Sequence, residues 1–168
     1  MIMKNLRRMA CIFIVLACVT GCKDDKYIPN VVKQTFNTMY PKTSFVDWEE
    51  GTKHGYYVVE FRHDGKEKIA WFDAEGLWWL TETDIRDAKS KLPKAIQNHL
   101  NQSQYASWQI DDIDYIEKRH EIPFFVVEVE RRDVNINLFY LEDGTFIKET
   151  DGDDDEHNRP TPATMKNE

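Results

Sequence analysis

The chain repeats itself, and that repetition limits its fold more than any other feature of the sequence. Ile28, Pro29, Val31, Val32 and Phe36 correspond to Leu92, Pro93, Ala95, Ile96 and Leu100 at one constant offset. In each set the apolar residues fall at i, i+3, i+4 and i+8 around a proline, which predicts an amphipathic helix with proline at its start. Downstream, Tyr57-Val58-Val59-Glu60-Phe61 corresponds to Phe125-Val126-Val127-Glu128-Val129, Trp71-Phe72 to Phe139-Tyr140, and Gly76 to Gly144. The second offset is larger than the first, so the second copy carries an insertion between its helix and its central strand.

The first copy, residues 28–83, predicts a helix over 28–39 ended by Tyr40-Pro41, then strands over 43–48, 56–63, 67–73 and 77–81. Asp64-Gly65 is a two-residue hairpin turn, and Glu75-Gly76 turns the chain again. The second copy, residues 92–151, predicts strands over 107–112, 124–130, 134–141 and 145–149, with a turn at Asp143-Gly144. Such short turns make the strands antiparallel. A unit of roughly 60 residues buries so little surface that it is marginal alone. The expected fold is therefore α+β: two tandem α-β4 repeats sharing one antiparallel sheet, with both helices on one face. The expected helix-side core is Ile28, Val31, Val32, Phe36 and Met39, with Leu92, Ala95, Ile96 and Leu100.

The N-terminus is of a different kind. Lys4, Arg7 and Arg8 precede an uncharged apolar run from Met9 to Val19. That run is about half of the ~20 residues a spanning helix needs, and its form is that of a secretory signal. Its end, Val19-Thr20-Gly21-Cys22, resembles a bacterial lipobox. The resemblance implies a signal peptide over residues 1–21, cleavage before Cys22, and lipid on Cys22. All three cysteines, Cys11, Cys18 and Cys22, lie in or at the end of this segment. The folded body then has no thiol for catalysis, disulfides or zinc. Residues 22–27 form a linker. Its Lys23-Asp24-Asp25-Lys26 resembles an export tag that places lipoproteins on the outer face of the outer membrane. The expected location is the outer membrane, lipid-anchored, with the cell surface favoured over the periplasmic side.

Loss of residues 1–21 removes three basic and no acidic residues, so the net charge moves from −8 to −11. Nucleic acid is excluded as a partner by that charge, and the membrane would be held through the lipid on Cys22 alone. Asp151-Gly152-Asp153-Asp154-Asp155-Glu156 lacks the register of an EF-hand loop. Residues 152–168 read as a disordered acidic tail.

No catalytic pattern is present. None of the serines sits in a G-x-S-x-G elbow, and there is no phosphate loop. His54, His63, His99, His120 and His157 are not paired at metal spacing. His99 lies on the apolar stripe of the second helix and reads as a packing residue. Asp111, Asp112 and Asp114 follow the first strand of the second copy and read as solvated turn residues. No enzyme activity, cofactor or metal is expected.

The aromatic residues carry more information. Residues apolar in both copies, such as Val59 with Val127, belong to the helix-covered face, and their strand neighbours point the other way. That assigns Tyr56, Trp71, Phe124 and Phe139 to an open sheet face, where aromatics amid charges form a protein-binding surface. On this reading Trp71→Ala costs little stability and Phe61→Ala costs about 3–5 kcal/mol. The alternatives are cross-strand packing that only stabilises the sheet, and a homodimer that covers it.

The order helix, Tyr40-Pro41, Val46-x-Trp48, Gly55-Tyr56-Tyr57-Val58-Val59-Glu60-Phe61, Ala70-Trp71-Phe72-Asp73-x-x-Gly76 resembles the PepSY-like family of bacterial lipoproteins, whose fold is similar to that of β-lactamase-inhibitor protein. The resemblance spans residues 28–151, although Gln104-Tyr105 stands in the second copy where Tyr40-Pro41 stands in the first. It implies a non-catalytic envelope protein that binds another envelope or extracellular protein, inhibiting a secreted or periplasmic hydrolase. The alternative is an accessory component of a surface complex for nutrient capture.

Overall fold

Pro29 and Pro93 stand at the starts of two short helices, α1 (Asn30–Met39) and α2 (Lys94–Gln102). The structure is a computed structural model, and it describes residues 27–49, 52, 55–85 and 89–152. Both prolines are cap residues with extended ψ, of 141° and 143°. Their carbonyls accept the first helical N–H groups, from Lys33 at 3.2 Å and Gln97 at 3.1 Å. Each proline is thus one step outside its helix. Its missing N–H costs nothing there, since no intrahelical acceptor exists at that point.

Eight strands complete the fold: β1 (Ser44–Trp48), β2 (Tyr57–His63), β3 (Lys66–Phe72), β4 (Trp78–Asp84), β5 (Gln109–Lys118), β6 (Phe124–Arg131), β7 (Val134–Leu141) and β8 (Phe146–Asp151). They form one antiparallel sheet in which the spatial order is the sequence order. A short 3-10 turn at Lys89–Lys91 precedes α2. Asp64 and Gly65 both have positive φ, as the tight β2–β3 hairpin requires. The architecture is α+β, one eight-stranded antiparallel sheet with two helices.

Each helix has its own core. Ile28, Val32 and Phe36 pack on Val59, Phe61, Ala70 and Phe72, with Tyr40, Trp48, Tyr57 and Trp78 at the margin. Phe36 meets Phe61 edge-on at 5.0 Å. Leu92, Ile96 and Leu100 pack on Ile113, Phe125, Val127, Val129, Leu138 and Tyr140. Thr81, fully buried on the strand next to the first core, is satisfied twice: Tyr40 Oη lies 2.5 Å and the Trp78 indole N–H donor 2.7 Å from its Oγ1.

Val31, Met39 and Ala95 depart from the expected core, for all three are exposed. The turns explain two of them. A Cβ placed on Gly76 would lie 3.1 Å from the backbone of Val31, and one on Gly144 would lie 2.9 Å from the backbone of Ala95. Each helix rests on its glycine turn at these points through the side chain as well as the backbone, so these two residues meet a turn and not the sheet core. Met39 is the last helical residue.

The second departure concerns β5. The strand expected over 107–112 instead runs from Gln109 to Lys118. Asp111, Asp112 and Asp114 are therefore strand residues and not turn residues. Ile113 and Ile116 are fully buried on either side of Asp114, and they hold this polar stretch in the sheet. At the other end of the domain the chain stays bound one residue past β8, where the Gly152 N–H donates to the Asn135 carbonyl at 2.9 Å. The acidic run from Asp153 onward, Cys22 and the rest of the N-terminal segment lie outside the described residues.

Candidate functional site

Along the strands, residues that alternate with the two helix-bound cores form a third cluster: Val58, Trp71, Leu80, Ile116, Val126 and Phe139. One residue comes from each of β2 to β7, and no helix residue takes part. Tyr56, Ile69 and Phe124 surround it, partly buried. Cross-strand pairs hold the cluster in place: Val58 opposite Trp71, Trp71 opposite Leu80, Ile116 opposite Phe124, and Val126 opposite Phe139.

The four aromatics expected on an open face thus come together, but they are not equally accessible. Trp71 is only 3% exposed and Phe139 only 4%. Tyr56 covers Trp71 edge-on at 6.3 Å, and Trp79 in turn flanks Tyr56 at 6.0 Å. Phe124 sits 5.9 Å from Phe139, whose ring also carries the Lys148 ammonium at 4.7 Å. Packing among the rings withdraws two of them from water, with no residue of α1 or α2 in their cluster. Cross-strand packing accounts for Trp71 and Phe139. The accessible aromatics of this face are Tyr56, Phe124 and Trp79, with cations beside them. Lys118 lies 5.8 Å from the centre of the Phe124 ring, and the Arg119 guanidinium lies 5.9 Å from that of Trp79. Burial lowers the Lys118 ammonium below its ordinary range.

Next to this apolar belt the face is acidic. Glu82 and Asp84 on β4, Asp112 and Asp114 on β5, and Glu128 on β6 occupy adjoining positions, with Asp84 opposite Asp114 and Asp112 opposite Glu128. Burial pushes the Asp114 carboxyl well above the usual carboxylate range, and Glu82, Asp112, Asp84 and Glu128 push it further. A raised value means that the folded chain holds this proton more tightly than the unfolded chain. The fold therefore loses stability as pH rises from the ordinary aspartate range through the raised one. Asp114→Asn should raise the melting temperature at pH 7, and the gain should fade as pH falls below the ordinary aspartate range. Melting curves at pH 3 to 8 check this, and an unchanged or lower value at pH 7 counts against the assignment. Sequence reasoning missed this cluster, although the alternation of Asp112, Asp114, Ile116 and Lys118 with Ile113 and Tyr115 marks a two-faced strand.

None of the described side chains forms a nucleophile–base pair. The His99 ring is stacked on Phe146 at 5.6 Å, with Nδ1 3.1 Å from Tyr140 Oη, which is a packing role. Burial pushes the Tyr140 hydroxyl up to about 12. His54 and His157 lie outside the described residues. Among the described residues no three His, Asp or Glu side chains are arranged to hold a metal ion.

The sequence profile described as "Putative beta-lactamase-inhibitor-like, PepSY-like" matches residues 55–148, more than half of the chain. The chain belongs to the PepSY-like family. A BLIP-like protein from Bacteroides fragilis is 31% identical, with a TM-score of 0.68 over 76% of this chain and 90% of that one. A DUF2874 family protein from Bacteroides ovatus is 29% identical, with a TM-score of 0.68 over 74% of this chain and 88% of that one. A structure from Bacteroides eggerthii described as "putative periplasmic proteins" shares the fold at 19% identity, with a TM-score of 0.68 over 74% of this chain and 89% of that one. No curated protein matches the chain. The PepSY-like sheet with its two helices is thus a BLIP-like fold, and the family resembles inhibitor-like, non-catalytic proteins. Among the described residues no helix is long and apolar enough to cross a membrane.

Proposed function

We propose that this PepSY-like chain is a non-catalytic, lipid-anchored envelope protein that binds another protein through the helix-free face of its sheet and inhibits a secreted or periplasmic hydrolase. The observation that carries this reading is the third cluster, an apolar belt drawn from six strands with aromatics and cations at its rim and no helix over it. Interfaces with an apolar centre and a charged rim have this composition. The BLIP-like relative and the inhibitor-like family description support the same reading.

The two halves are read as tandem copies, residues 28–83 and 92–151, with both helices on one face. The registers support this. From Phe61 the cross-strand partners run through Lys68, Thr83, Tyr115 and Phe125 to Tyr140, joining the face under α1 to the face under α2. The equivalent contacts of Gly76 with Val31 and Gly144 with Ala95 support it again.

The face is tested by capture from envelope extract. Wild-type chain should retain one stoichiometric partner whose hydrolase activity falls on binding. Tyr56→Ala and Phe124→Ala, both at accessible rim positions, should each weaken capture at least tenfold while the fold persists. Capture that survives both substitutions sinks the face as the site, and retention of a large assembly with no loss of activity points to the accessory role instead.

The anchor is tested separately. Cys22→Ser should abolish acylation and leave the protein soluble or uncleaved. This follows from the charged start, the short apolar run and Val19-Thr20-Gly21-Cys22 taken together. Unchanged membrane fractionation and an unchanged N-terminal mass would overturn it.

A further inference from the structure

We propose that a pocket beside the end of α2 binds a small aromatic anion, one ring that bears one negatively charged group. It is a second site, set in the core under α2, and it does not depend on docking through the helix-free face. The pocket has a volume of about 350 Å³, within the range of small-molecule sites. Leu100, Ile110 and Val129 give it an aliphatic lining, Tyr105 and Trp108 an aromatic one, and Lys89 brings a cation. The space is there because the two halves fill equivalent positions differently. Under α1 that space is taken by Phe36 and Phe61, whose rings meet edge-on at 5.0 Å, with the Tyr40 ring 4.7 Å from Phe61. Leu100 and Val129 correspond to those two phenylalanines and carry no ring.

Tyr105 and Trp108 lie between α2 and β5, where the second half carries its insertion. They stand edge-on to each other at 5.1 Å and wall the space without refilling it. Both are held in place. The Tyr105 hydroxyl donates to Glu149 on β8 at 2.9 Å, and the Trp108 backbone N–H donates to the Tyr105 carbonyl at 3.0 Å. A preformed space between aliphatic groups and rings suits one aromatic ring. Lys89 decides the charge. Its ammonium donates to Asn101 Oδ1 at 2.6 Å, which uses one of its three hydrogens and fixes the group at the pocket. An anionic group beside it gains a charge-assisted hydrogen bond, whereas a cationic ligand is repelled. The ring thus supplies the apolar burial, and the anionic group supplies the selectivity.

The probe is phenylacetate, titrated by calorimetry into the full-length chain at pH 7, with phenylacetamide as its neutral counterpart. Phenylacetate should bind, and the amide should bind about tenfold more weakly. Lys89→Gln should bring phenylacetate down to the level of the amide. Val129→Phe and Leu100→Phe, which restore the rings present under α1, should each abolish binding of both probes while the chain stays folded. The Trp108 indole N–H resonance, assigned with Trp108→Phe, should shift when phenylacetate is added, and Phe124→Ala should leave the affinity unchanged. Absence of both heat and shift, equal affinity for acid and amide, or an affinity that Lys89→Gln leaves intact each overturn the proposal. So does binding that persists in both phenylalanine variants, or that is lost with Phe124→Ala. If a phenylalanine variant fails to fold, Lys89→Gln and the Trp108 resonance still decide, because both are read with the core intact.

Discussion

Trp71→Ala should lower the free energy of unfolding by about 3–5 kcal/mol, the range for truncating a buried large aromatic. Trp71 is 3% exposed and sits in a cluster whose members come from both halves of the sheet. Its loss would open a cavity between Val58 and Leu80, its cross-strand partners on β2 and β4. The backbone there cannot collapse to fill the void, because both neighbouring strands are already paired on both sides. Phe61→Ala, in the core under α1, should cost a similar amount. Tyr56→Ala should cost much less, since its ring is only partly buried. Urea denaturation of the three variants orders them. A Trp71→Ala midpoint within error of the wild type would mean that the helix-free cluster contributes no cohesion.

Gly144→Ala should be the next most damaging change, at about 2–5 kcal/mol. Two costs add: left-handed backbone strain of about 1–2 kcal/mol and overpacking of about 1–3 kcal/mol. Gly144 has φ +90°, and its new Cβ would lie 2.6 Å from the Ala95 Cβ and 2.9 Å from the Ala95 backbone carbon. Gly65 is the control. It has φ +76° and open space around it, with nothing within 4 Å of an added Cβ. Gly65→Ala should therefore show the strain alone, about 1–2 kcal/mol. Equal losses at the two positions would show that α2 does not press on the turn.

How far the fold was legible in the sequence differs from element to element. The helices and the central strands were legible because Val32, Phe36, Ile96 and Leu100 keep the helical period, and Val59, Phe61, Phe125 and Val127 keep the strand period. The turns were legible because Asp64-Gly65 and Asp143-Gly144 are turn pairs, in which Asp64, Gly65 and Gly144 take positive φ. The length of β5 was not, because its aspartates look like turn residues and only the buried Ile113 and Ile116 hold them in the sheet. The same difficulty hid the acidic part of the candidate site. The aromatic part was found by alternation, yet alternation says only which way a side chain points. That Trp71 is covered follows from Tyr56 lying edge-on to it with Trp79 flanking Tyr56, at the point where the pairing of β3 with β4 shifts register after Trp71.

The sheet order has a kinetic meaning as well. Because β1 to β8 are laid down in chain order, almost every pairing closes a short loop, and such folds assemble from local steps. One seam differs. Between β4 and β5 the chain makes its excursion through α2, so Leu80 finds Lys118 only after that whole segment is brought round. Loop closure there carries the largest entropic cost of any step in the sheet. Each hairpin array can zip before its neighbour is present, and the joining of the two at β4–β5 is the expected late event, the one at which the cluster of Leu80, Ile116 and Trp71 first becomes whole.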